Sequence, residues 1–120
     1  MQWCLTEGGY LVEIGTQHEQ EWIQMLMSSY ILTGAYWVGL SDATQEGVWK
    51  WQHSFVEASY TNWCFENPHT DRKSNCAQIT MNIDEAGGNW VDTDCNLDTD
   101  EMTGWRIHAI CERHNTVNLS

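Results

Sequence analysis

Basic residues are scarce: five Lys and Arg stand against 17 Asp and Glu, for a formal charge of −12. So acidic a surface repels phosphate backbones and anionic bilayers, which argues against nucleic acid and membrane surfaces as partners. It suits cations, although simple solvation accounts for most such acids. No apolar run approaches the roughly 20 residues of a bilayer span, so no membrane insertion is expected. A single Pro and nine scattered Gly in 120 residues, with no repeat or low-complexity tract, argue against a disordered or solenoid chain. There is no C-x-x-C, and His108 and Cys111 stand alone as a short-spaced pair, so no zinc motif is present. Catalytic signatures are missing too. There is no G-x-S-x-G and no phosphate-cradling Gly loop. His18-Glu19-Gln20-Glu21 begins like a zinc-protease helix, but Trp22 occupies the second His position. No enzyme is expected. No basic start and apolar stretch of a signal peptide precedes Cys4, so a secreted reading requires a leader outside these residues.

What is present is aromatic and sulfur-rich. Eight Trp, four Tyr and two Phe can fill the core of one domain. Five Cys in so small a chain suggest disulfides and an oxidising compartment, with one Cys left over. Thr16-Gln-His-Glu19 has the form of a capping box and predicts a helix over Gln17–Ser29, with Trp22, Ile23, Leu26 and Met27 on one face. Short strands are expected at Tyr10–Ile14, Ala35–Leu40, Val48–Trp51, Asn75–Met81, Asn89–Asp92 and Trp105–Glu112, with a Gly87-Gly88 turn before the fifth. Residues 52 to 74 read as a long polar loop, and loops of that length in compact domains are usually functional. The pattern is α+β with largely antiparallel strands.

Ordered motifs then carry a resemblance. Cys4 with Gly8-Gly9-Tyr-Leu-Val, Glu19-Gln-Glu-Trp22-Ile, Trp37-Val-Gly-Leu40, Trp49-Lys-Trp51, Tyr60-Thr-Asn-Trp63, Asn75-Cys-Ala77, Trp90-Val-Asp92 with Cys95, and Ile110-Cys-Glu112 follow one another in sequence. From about Cys4 to Glu112 the chain resembles the C-type lectin family. The resemblance implies two helices with small antiparallel sheets, a long irregular loop, and disulfides Cys4–Cys111 and Cys76–Cys95. It implies a domain over residues 1–113 without the family's N-terminal strand and most of its first helix, followed by a tail at 114–120. The last strand should then have an exposed or substituted edge, a liability for association. Cys64 is left as a free thiol, a partner of a segment not present, or a link between chains. A homodimer through the last strand or Cys64 is one expectation.

The family's sugar-binding members hold calcium through an E-P-N or Q-P-D triplet, a Glu before the third Cys and a W-N-D triplet. Here Asn67-Pro68-His69 occupies the triplet, Ser74 stands for the Glu and Val91 for the Asn; only Asp92 is kept. Imidazole nitrogen is a poor donor for a hard cation, so the usual calcium site is not expected. The Asn67-Pro68 bond is a cis candidate. Asp42 and Glu46 match an auxiliary calcium site opposite Thr70, Ser74 and Asn75; the plainer reading makes Asp42 a turn cap and pairs Glu46 with a surface cation. From Asp92 to Glu101 oxygen side chains recur at every second position, as in an EF-hand loop without its Gly and closing Glu; a solvated acidic loop is the better reading. No cofactor is required, and calcium is the one ion the donors suit. The expected function is an extracellular module recognising a glycan or protein ligand through Phe65, Asn67, His69 and Asp92, with Trp63 mainly in the core. The alternatives are a calcium-dependent lectin with an altered site and an acidic structural or matrix protein.

Overall fold

Helix α1 runs over Gln17–Ser29. Its start is the box read from the sequence: the Glu19 amide donates to Thr16 Oγ1 at 3.1 Å, and the Thr16 hydroxyl donates to Glu19 Oε1 at 3.3 Å. The computed structural model describes residue 4 and residues 9–29, 34–69, 73–82, 85–97, 107–113 and 116–119. The buried stripe of α1 differs from the expected face. Gln20, Ile23 and Met27 point inward, while Trp22 is exposed and Leu26 half-buried. A glutamine holds the core position because a buried indole needs it: Trp90 Nε1 donates to Gln20 Oε1 at 2.8 Å.

The strands are β1 (Tyr10–Leu11), β2 (Gly34–Ser41), β3 (Lys50–Trp51), β4 (Cys76–Asn82), β5 (Glu85–Thr93), β6 (His108–Arg113) and β7 (Thr116–Leu119). They form one sheet in the order β1-β6-β2-β4-β5, with β3 added to β2 and β7 to β6. Pairing is antiparallel except between β2 and β6, which run parallel with Tyr36 opposite His108 and Trp37 opposite Ala109. Strand β2 is buried along Ala35–Ser41, which is why it reads as a continuous aromatic and β-branched run. Its alternate residues serve two cores. Tyr36, Val38 and Leu40 join the α1 side with Ile79 and Trp90, and Trp37 joins Leu11, Ile107 and the disulfide sulfurs. Each large side chain so buried contributes about 1.5–3 kcal/mol. Ile110 and Cys111 are both buried although adjacent in β6, because both faces of that strand are covered.

Cys4 is joined to Cys111 and Cys76 to Cys95, the two pairs the resemblance implies. The first closes a loop of sequence separation 107 and the second one of 19. On the chain-entropy account these are worth about 3 to 5 kcal/mol each, the longer loop more. Cys4 is helical, and the rest of the expected first helix lies outside the described residues.

One loop expectation needs correction. Gly87 and Gly88 do not form a turn; they lie inside β5, beyond a register shift between Thr80 and Asn82. They are glycines because neighbours lie almost on the strand, α1 over Gly88 and Met81 and Thr80 of β4 against Gly87. A Cβ on Gly88 would sit 2.4 Å from Gln24 Cδ, and its φ is 94°. The Gly88 and Gly87 carbonyls instead accept from Gln20 Nε2 at 2.6 Å and Gln24 Nε2 at 2.8 Å. The last strand takes the second of the two forms expected for it, a substituted edge. Cys111 and Glu112 pair with β1 and also with Asn118 and Val117 of β7. One residue cannot pair twice on the same edge, so β1 and β7 cover opposite edges of β6. The edge of Ile110–Arg113 is therefore substituted, with β7 as the strand that covers it.

Candidate functional site

The long loop is stitched to β5 by its own backbone. Trp90 donates to the Asn62 carbonyl at 2.8 Å, and Cys64 donates to the Trp90 carbonyl at 2.8 Å. Asn62 Nδ2 adds a bond to the Gly88 carbonyl at 2.8 Å. Beneath them Trp63 is half-buried, edge-on to Trp49 and Trp90 with ring centroids at 4.8 and 5.9 Å. Trp63 therefore belongs partly to the core. The chain then turns through Cys64–Asn67, with Glu66 at a φ of 66° and the Asn67 amide donating to the Cys64 carbonyl at 3.0 Å. Phe65 stands at the tip, 87% exposed.

This path brings three of the sequence-derived site residues together. The Asn67-Pro68 bond is cis. Asp92, one residue from the end of β5, has a fully buried side chain, whereas that of His69 is 54% exposed. The His69 amide donates to Asp92 Oδ2 at 2.7 Å, and His69 Nδ1 lies 2.7 Å from Asp92 Oδ1. An ionised carboxylate only accepts, so Nδ1 carries the hydrogen. Asn67 Oδ1 accepts from the Asp92 amide at 3.4 Å, and Asn67 Nδ2 donates back to the Phe65 carbonyl at 3.1 Å. Both carboxylate oxygens are thus taken by one residue. A calcium ion needs six to eight oxygen donors. Here the one retained acid is already paired and its neighbour offers nitrogen, so these residues do not fit the usual sugar-binding ion.

The remaining candidates divide. Asp42 is buried after β2, where Oδ2 accepts from the Gly47 amide at 2.9 Å. It therefore caps the 42–47 loop. Among the described residues no hydrogen bond reaches Asp42 Oδ1, although that oxygen is buried. A buried carboxylate oxygen left so is what a cation would satisfy, so Asp42 fits an auxiliary ion better than the long loop does. Glu46 is exposed on the same loop, Ser74 and Asn75 are half-buried, and Thr70 lies outside the described residues. The acidic run is not gathered into one site as far as it is described: Asp92 faces His69, Asp94 Oδ1 accepts from the Asn96 amide at 2.9 Å, and Cys95 is in a disulfide. Residues 98–101 lie outside the described residues. Cys64 is a half-buried free cysteine. Among the described residues, no three His, Cys, Asp or Glu side chains converge as a metal site would need.

One feature went unread in the sequence. Two cavities of about 300 Å³ each share Glu13, Glu19 and Glu112 in their walls. Trp22 lines one, and Tyr10, stacked on His53 at 3.6 Å, lines the other. Burial, and then the nearby Glu19 and Glu13 carboxylates, push the Glu112 carboxyl above its ordinary value, against the pull of the Glu13 amide and His53. These carboxylates come from three separate elements, so no local spacing announces them.

The family model for the lectin C-type domain matches residues 1–112, and the chain belongs to that family. It is 32% identical over 96 residues to a perlucin-like protein of Mytilus galloprovincialis, a match over 79% of this chain and 60% of that protein. The chain thus spans less than two thirds of that relative's length. Among solved structures it is similar to the mouse scavenger receptor C-type lectin carbohydrate-recognition domain, at a TM-score of 0.65 and 29% identity over 79% of this chain and 68% of that one. It is also similar to a calcium-independent type II antifreeze protein, at a TM-score of 0.61 and 29% identity over 77% of this chain and 64% of that one.

Proposed function

We propose that the chain is an extracellular, non-catalytic recognition module that takes a glycan or protein ligand on its long loop without the family's sugar-binding calcium. Support comes first from Asp92, whose two carboxylate oxygens are held by the His69 amide and imidazole. The similarity to a type II antifreeze protein described as calcium-independent adds weight, as does the similarity to a carbohydrate-recognition domain. The ligand meets a polar and aromatic surface: Phe65 at the tip with the exposed Glu66 beside it, the exposed part of the His69 ring, and Asn67 behind them. If calcium is taken up, Asp42 and Glu46 are the residues to hold it, and its chemistry there would be to neutralise a buried carboxylate and stiffen the 42–47 loop.

A glycan array probed with the full chain in calcium and again in chelator tests this. The expected result is a set of bound glycans whose signals are equal in both conditions and fall at least about tenfold for Phe65→Ala, as for a central aromatic contact. Signals abolished by chelator would overturn the calcium-free reading. An array without signal leaves a protein as the ligand class, to be sought with the same Phe65→Ala control.

A further inference from the structure

We infer that His69 does the structural work that a calcium ion would do in this loop, and that the same residue bars the ion. The inference deepens the calcium-free reading above and rests on it. The loop's backbone bonds to β5 run from Asn62 and Cys64 to Trp90, and among the described residues no backbone–backbone bond fastens residues 65–69 to Asp92. A metal would fasten it by drawing the Asp92 carboxylate and the loop's side-chain oxygens into one shell. In this chain the fastening is direct. His69 places two donors on the two oxygens of Asp92, the backbone N–H at 2.7 Å from Oδ2 and Nδ1 at 2.7 Å from Oδ1. Asn67 Oδ1 closes the other side on the Asp92 amide at 3.4 Å. The clamp joins position 69 to position 92 through a carboxylate that is completely enclosed, where hydrogen bonds to a charged group are strongest.

Exclusion follows from the same contacts. An ion entering between loop and strand would have to displace the Nδ1–H from Oδ1 and would gain no oxygen from residue 69. The imidazole nitrogen offered in return is a poor donor to calcium. His69 is therefore a positioning residue for the ligand surface and the determinant of calcium independence. Neither role involves a change in its protonation, because Nδ1 carries the hydrogen in both the neutral tautomer that fits Asp92 and the charged ring.

The test needs no ligand, so its failure is separate from a failure of the glycan array. Amide hydrogen exchange is measured across the full chain, with calcium chloride and with chelator, for wild type, His69→Ala and His69→Asp. The Val12 and Gly39 amides, which donate to the Ile110 and Val12 carbonyls away from the loop, serve as the control for an intact fold. In wild type, exchange at residues 67 and 69 should be slow and unchanged by calcium; slowing on calcium addition would overturn the exclusion. His69→Ala should exchange about tenfold or more faster there while the control amides hold, and unchanged exchange would overturn the clamp. His69→Asp repels Asp92 and restores a carboxylate to the triplet. It should exchange fast in chelator and be slowed by calcium with an affinity on the order of 10⁻³ M, and indifference to calcium would overturn the exclusion.

Discussion

At the scale of the residue, the core is organised by a polar side chain. Gln20 accepts from Trp90 Nε1 at 2.8 Å and donates to the Gly88 carbonyl at 2.6 Å, with all three residues buried. Replacing it with Leu removes both partners at once. The Gly88 carbonyl keeps its bond from Asn62 Nδ2, so Trp90 Nε1 is the group that loses its acceptor; at about 1–3 kcal/mol for a buried group left unsatisfied, Gln20→Leu should lower unfolding stability by that amount in a urea titration. Glu112 makes the opposite case. Its carboxyl is raised, so the folded state binds the proton more tightly than the unfolded chain does. Protonation therefore stabilises the fold: the contribution is present at pH below the ordinary Glu range and is lost as pH rises through the raised value. Glu112→Gln keeps an oxygen to accept from the Glu13 amide, a 3.3 Å contact, and removes the charge. It should raise the melting temperature at pH 7, and the gain should shrink as the pH falls toward 4. A gain constant with pH would show that the carboxylate repulsion is immaterial.

At the scale of the element, the helix and most strands were legible because their signals are local. The Thr16–Glu19 box and the periodic apolar positions mark α1, and the run Ala35–Leu40 marks β2. What was not legible depended on neighbours distant in sequence. The choice of Gln20 over Trp22 as the inward residue answers to Trp90, and in the Gly87-Gly88 pair Gly88 answers to α1 and Gly87 to β4, although by local chemistry the pair reads as a turn. Strand β7 was read as a tail because Thr116–Leu119 is short, and only pairing with β6 makes it a strand. That pairing carries a prediction. Deleting residues 114–120 removes the partner of Ile110–Arg113 and leaves one edge of β6 open. Open edges associate, so the truncated chain should show a concentration-dependent mass increase by light scattering that the full chain lacks. Equal masses for the two would mean that β7 protects nothing.

At the scale of the whole molecule, two staples and two cores hold a sheet whose long loop is pinned to β5 by hydrogen bonds to Trp90 and Asp92. The motif order gave the family and the disulfide pairing, since those depend on residues that recur in sequence. It also named Asn67, His69 and Asp92, but as a damaged metal site. That His69 and Asp92 satisfy each other is a matter of a 2.7 Å approach across 23 residues, which no spacing rule encodes. The same folding leaves Asp42 Oδ1 buried and without a hydrogen bond among the described residues, an oxygen a cation would satisfy. A residue-resolved calcium titration by NMR separates the two places. The account predicts that the Asn67, His69 and Asp92 amide resonances stay fixed up to roughly ten times the weakest extracellular affinity of about 10⁻³ M, and that any response lies in the 42–47 loop. Saturable movement of His69 and Asp92 together would contradict it.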